Sequence, residues 1–208
     1  GLVPILYGGF VTQSGPHWNV ITTRPGTSPI SNLAESVIDF MLKADRLEPE
    51  DVEMQRAMIN AVLRSGSDGL IKVSQYLQRG QSENAFFLVD QFEEIFGYRE
   101  LAHSSEALND AQLYVNLLLT AIQQDKTSTY VALTMRSDFI GECSIFAGLT
   151  EQINNSNYLV PQMSREQKRS VIEGPIAVAG GKISQRLVKR LLNDIGNTQD
   201  QLPIFQHA

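Results

Sequence analysis

Five consecutive apolar residues, Ala85, Phe86, Phe87, Leu88 and Val89, run directly into an aspartate, Asp90. The run is too short for a core helix and shows no polar alternation, the pattern of a strand buried on both faces of a parallel sheet. Parallel neighbours cannot be joined by a tight turn, so a chain built around such a strand must place helices in its crossovers.

The flanking sequence supplies them. Residues 18–23 are rich in Trp, Val, Ile and Thr and predict an earlier strand, stopped by Arg24-Pro25-Gly26. Ser28 before Pro29 has the chemistry of a helix N-cap and first turn, and Leu33, Val37, Ile38, Met41 and Leu42 recur at helical spacing up to Asp45. Residues 51–79 continue the helical pattern, with Gly66 and Gly69 interrupting it and Gly80 as its stop. Beyond Asp90, Leu108, Ala111, Val115, Leu118 and Ile122 mark a long amphipathic helix before the next apolar run, 130–135. Strands alternating with helices predict an α/β domain with right-handed crossovers.

A last short strand is expected at residues 158–160. Ser164 and Gln167 then form a capping-box signature, Gly174-Pro175 and Gly180-Gly181 break the chain, and Leu187, Val188, Leu191, Leu192 and Ile195 mark a further helix. The expected organisation is an α/β core over residues 1–162 and the start of a small helical domain over 163–208. The opening stretch, Gly1 to Gly9, is apolar and carries no initiating Met, so it reads as the interior of a longer chain.

Composition narrows the function classes. A net charge of -6, from 17 basic and 23 acidic residues without a basic run, argues against a nucleic-acid partner. No stretch approaches the length of a membrane span and no cationic, apolar leader is visible. The single cysteine, Cys143, fits a reducing, cytoplasmic compartment, and the scattered His17, His103 and His207 give no zinc-type spacing. Cys143 reads as a small buried residue, and His207 as an ordinary side chain.

Asp90 stands where α/β sheets bind ligands, beyond the carboxyl end of a parallel strand. One carboxylate together with phosphate oxygens and waters is an ordinary Mg²⁺ site. Glu93 and Glu94 follow closely enough for either to orient a water near a terminal phosphate. The same acids also suit the first turn of a helix, where they meet the positive end of its dipole. Arg136, just past the run 130–135, is placed either to contact a γ-phosphate or to pair with Asp138. Arg24 serves a tight turn or a phosphate. No glycine pair spaced five apart and followed by Lys and Ser or Thr occurs, and Ala179-Gly180-Gly181-Lys182-Ile183 lacks both the first glycine and the hydroxyl.

Several segments together resemble the bacterial STAND-type P-loop NTPases, specifically those whose nucleotide-binding module precedes WD-repeat sensor domains. They are Gly1-Leu2-Val3-Pro4-Ile5-Leu6, the strand and Arg24-Pro25-Gly26 turn, the acidic (Walker B) strand Phe87-Leu88-Val89-Asp90-Gln91-Phe92-Glu93-Glu94-Ile95-Phe96, Thr134-Met135-Arg136-Ser137-Asp138-Phe139 and the closing Leu202-Pro203-Ile204-Phe205-Gln206-His207-Ala208. The resemblance implies a P-loop-like fold whose phosphate-binding (Walker A) loop lies before Gly1, with ATP, rather than GTP, or ADP and Mg²⁺ as cofactors. It implies Mg²⁺ coordination and nucleotide binding by Asp90, water activation by Glu93 or Glu94, γ-phosphate sensing by Arg136 and an adenine contact from Pro203. Gln91 stands directly after Asp90, where many related ATPases carry an acid. The implied partners are sensor or effector domains of a parent signal-transduction protein, with oligomerisation on activation, and the chain lacking its phosphate loop is expected to be inactive alone. The rival expectation is a non-enzymatic α/β interaction module with a degenerate nucleotide site.

Overall fold

The computed structural model describes residues 2–8, 17–78, 83–97, 105–124 and 128–194. Its strands are β1 (His17–Thr23), β2 (Glu83–Val89) and β3 (Thr129–Leu133), paired in parallel in the order β1-β2-β3. The apolar run is thus the middle strand. In register, Val20 faces Phe86 and Phe86 faces Tyr130, while Thr23 lies opposite Val89 and Val89 opposite Leu133. All three carboxyl ends therefore finish level.

Alternation along β2 sends its side chains to two apolar clusters. Ala85, Phe87 and Val89 join the main core, and Phe86 and Leu88 join a smaller cluster with Val20, Trp18 and Ala132. Helix α1 (Leu2–Tyr7) covers that smaller face through Leu6 and Val3. The main face is covered by α2 (Pro29–Lys43), α3 (Val52–Arg64), α4 (Gly69–Leu77) and α5 (Ser105–Ile122). Each fully buried Leu, Ile or Phe among Leu33, Ile38, Leu63, Leu70 and Phe87 contributes roughly 1.5–3 kcal/mol. Both crossovers are helical, as a parallel sheet demands.

Local chemistry sets the helix ends. At the close of α2, the Asp45 N–H donates to the Leu42 carbonyl and the Arg46 N–H to the Met41 carbonyl, with Asp45 at φ 51°. That is the left-handed, Schellman-type stop usually filled by glycine. Gly69 opens α4 because α3 leaves no room for more: a Cβ there would stand 2.5 Å from the Val62 carbonyl oxygen. Between α3 and α5, Arg64 spans Asp110 with two hydrogen bonds of 2.6 and 2.9 Å.

Two sequence expectations fail. Ser28 precedes α2 and Pro29 starts it, but the Ser28 hydroxyl donates to the Thr27 carbonyl and caps nothing. Residues 158–160 form no strand: Tyr158, Leu159 and Val160 are exposed extended chain after α6 (Leu149–Ser156). Their β-forming side chains pair with no strand among the described residues.

The chain divides into two units, Gly1–Asn157 and Tyr158–Ala208. In the second, α7 (Arg165–Val178) and α8 (Gln185–Asp194) pack Ile172 against Val188 and Leu192. The expected capping box is present, with Gln167 N–H on Ser164 Oγ and Ser164 N–H on Gln167 Oε1. The break expected at Gly174-Pro175 does not occur, because α7 continues through Pro175 to Val178 and turns only at Gly180, at φ 73°. Among the described residues no helix is long and apolar enough to cross a membrane.

Candidate functional site

The level strand ends gather the charged residues. The Asp90 N–H extends the ladder to the Thr23 carbonyl, and the Thr134 N–H does the same toward Val89 on the other side. Asp90 is thereby fixed between the ends of β1 and β3, and each neighbour supplies a side chain to its carboxylate. Arg24 donates from Nε and Nη2 to Oδ2 at 3.0 and 2.8 Å. Thr134 donates from Oγ1 to Oδ1 at 2.6 Å.

These contacts govern its charge. The Thr134 hydrogen bond, and after it the Arg24 contact, hold the Asp90 carboxyl below its ordinary range, outweighing the opposing effect of partial burial. An anionic carboxylate at the mouth of a parallel sheet suits a hard cation that keeps water and phosphate as its other ligands. Among the described residues no group of three or more His, Cys, Asp or Glu side chains is placed to hold a metal ion. The residues present therefore fit Mg²⁺ only as one protein ligand of a metal whose other oxygens come from elsewhere. Arg24 now stands where such a cation's charge would act.

Directly after Asp90 the backbone bends sharply. Gln91 takes φ 54°, a left-handed conformation uncommon for a residue with a long side chain. Its N–H donates to Thr134 Oγ1 at 3.1 Å, and the Phe92 N–H donates to the Thr134 carbonyl at 2.9 Å. Phe92, Ile95 and Phe96 then sink into the core, and Phe96 stacks on Phe139 with 5.8 Å between ring centroids. The strain at Gln91 is held by that anchoring.

Glu93 and Glu94 follow on this bend and face different surroundings. Glu94 Oε2 accepts the Gly26 N–H at 3.0 Å, which ties it to the turn after β1. Glu93 Oε2 is buried and has no hydrogen-bond partner among the described residues. Gly26 itself sits at φ 54°, and a Cβ on it would meet Asn32 Nδ2 at 2.6 Å. Asn32 uses that same nitrogen to donate to the Pro25 carbonyl at 2.8 Å. The Arg24-Pro25-Gly26 turn is therefore gripped from two sides, and the grip aims Arg24.

Arg136, at the far side of β3, takes the second of its two expected arrangements. Its Nε and Nη2 contact Asp138 at 3.2 and 2.8 Å, and its guanidinium lies over the Phe139 ring. The Asp138 carboxyl is held low by this arginine. Cys143 is buried, its thiol pushed up by burial, and it donates weakly to the Phe139 carbonyl at 3.7 Å, which fits the reading of it as a packing residue. Pro203, His207 and the rest of the closing motif lie outside the described residues.

The sequence undervalued two residues. Arg24 stood as one of several readings of a turn, and Thr134 carried no assigned role. The available signal was positional: in a parallel sheet the residues just past neighbouring strands converge on the acid of the middle one.

The family model for novel STAND NTPase 1 matches residues 1–208. No curated protein and no solved structure matches the chain. An acid-ended middle strand with its neighbours' polar residues turned toward it, in a chain matched over its whole length, places this protein in the novel STAND NTPase 1 family.

Proposed function

We propose that residues 1–208 are the nucleotide-responsive core of a STAND-type signal-transduction ATPase, in which ATP and ADP states differ in how a helical part closes on the sheet. Family membership carries nucleotide binding at the coarse level. The observation that carries the finer reading is Asp90, ionised and fixed at the carboxyl end of the middle strand by residues from both neighbours.

In this reading Asp90 coordinates Mg²⁺, which when bound would neutralise charge on the transferring phosphoryl group. The two glutamates divide the remaining work. Glu94 is engaged with the Gly26 N–H, which favours Glu93, with its unpartnered oxygen, as the acid that orients water. Arg136 would leave Asp138 to sense a γ-phosphate, and Pro203 would contact adenine. The outer edge of β3 pairs with no strand among the described residues, and Tyr130 on it is exposed. A strand added there would bring a phosphate-binding loop alongside Thr134 and Arg136. A WD-repeat or similar sensor following the helical part would supply the signal, in a cytoplasmic setting.

The test is hydrolysis by a chain extended upstream of Gly1. Mg²⁺-dependent ATP turnover should fall by about 10²-fold or more in Asp90→Ala, as expected for loss of a transition-state electrostatic contact. Equal turnover in the two proteins refutes the assignment. No turnover in either points to a non-enzymatic interaction module.

A further inference from the structure

The Arg24–Asp90 pair is built with more support than an incidental surface contact. Both guanidinium contacts fall on one oxygen, Oδ2, while Thr134 holds Oδ1. The turn that aims Arg24 is clamped by Glu94 through the Gly26 N–H and by Asn32 through the Pro25 carbonyl. Yet the side chains themselves are accessible, Arg24 at 60% and Asp90 at 34%. The geometry is firm and the pair is open to competition, since solvent-facing ion pairs hold weakly.

We propose that Arg24 is the exchange partner of Asp90: a guanidinium that occupies the carboxylate until a divalent cation arrives as its phosphate complex, and then moves to the phosphate. This rests on the reading of Asp90 as a metal ligand. The exchange keeps both charged groups paired. Asp90 gives up one cation and gains another, while Arg24 gives up a carboxylate and gains a phosphate oxygen, a partner its fork fits equally well. Oδ2 is the oxygen released, and Thr134 keeps the carboxylate oriented through Oδ1. A bare cation supplies only half of the exchange and leaves the guanidinium unpaired, so it binds poorly. The pair thereby makes the site selective for metal delivered together with phosphate.

The 208-residue chain tests this without turnover. Mn²⁺ binding, read by calorimetry and by the paramagnetic broadening of amide resonances around Asp90, should be about tenfold tighter in Arg24→Gln than in the unaltered chain, and lost in Asp90→Asn. Arg24→Lys, which keeps the charge and loses the fork, should fall between them and guards against a folding defect in Arg24→Gln. In the unaltered chain, saturating Mg²⁺ with inorganic phosphate should shift the Arg24 Nε–H resonance more than Mg²⁺ alone. Equal Mn²⁺ affinity in the unaltered chain and Arg24→Gln, with binding still lost in Asp90→Asn, overturns the exchange and leaves Asp90 a metal ligand. Binding unaffected by Asp90→Asn, or no binding in any variant, overturns both.

Discussion

Thr134 has one hydroxyl and uses it in both directions, donating to Asp90 and accepting from the Gln91 N–H. Replacing it with valine keeps the shape and removes both bonds. Because the folded Asp90 carboxyl titrates below its unfolded value, its contribution to stability is present above the unfolded pKa and is lost as pH falls through the folded one. Thr134 is the largest cause of that depression, so Thr134→Val should destabilise the chain at pH 7 and the difference should shrink in acid. Allowing for the solvent exposure of Asp90, the loss at pH 7 is about 1 kcal/mol, measurable by urea unfolding at the two pH values. At this scale the sequence located Asp90, because an acid after an apolar run is a local pattern. It could not pair Asp90 with Arg24 or Glu94 with Gly26. Those contacts join positions 66 and 68 residues apart and exist only once the strands are in register.

Elements were legible where one period dominated. The strands around Val20, Phe87 and Val131 and the helices carrying Leu33 and Val115 follow from apolar spacing alone. Misreadings arose where a residue has a preferred use that tertiary structure overrides. Ser28 bonds backward, Pro175 sits inside α7, and 158–160 has strand-forming side chains without a partner strand. The stop of α2 is the converse case, since the sequence placed the end near Asp45 but not the left-handed backbone that makes it. Asp45→Gly should relieve the conformational penalty at that position and raise stability by about 0.5–1 kcal/mol, read as a higher urea midpoint with unchanged slope. An unchanged or lower midpoint would mean that the aspartate side chain contributes more than its backbone costs.

Across the whole molecule, the described residues separate into a sheet-centred unit and a helical one, and the chain between α6 and α7 has no regular structure. Tyr158 there is 84% exposed, whereas Phe87, Phe92 and Tyr114 are fully buried. Brief chymotrypsin digestion should therefore cut after Tyr158 or Leu159 before it cuts at those three aromatics, with mass spectrometry identifying the fragments. Cleavage at Phe87 or Tyr114 first would contradict the burial of the sheet. The alternation of strand and helix made the first unit readable from sequence. The closing motif, 202–208, was recognisable only as a short resemblance and lies outside the described residues.

The carboxylate at the heart of the site draws its partners from opposite directions along the chain, Arg24 from before it and Thr134 from 44 residues after it. During synthesis, then, Asp90 can find its arginine as soon as β1 and β2 meet, while its other oxygen waits for a strand still to be translated. A nascent or truncated chain ending before Thr134 would hold the ion pair without the hydroxyl that orients it. Such a chain would have a neutralised acid and no fixed direction in which to present it. The third strand therefore turns a paired charge into an oriented one.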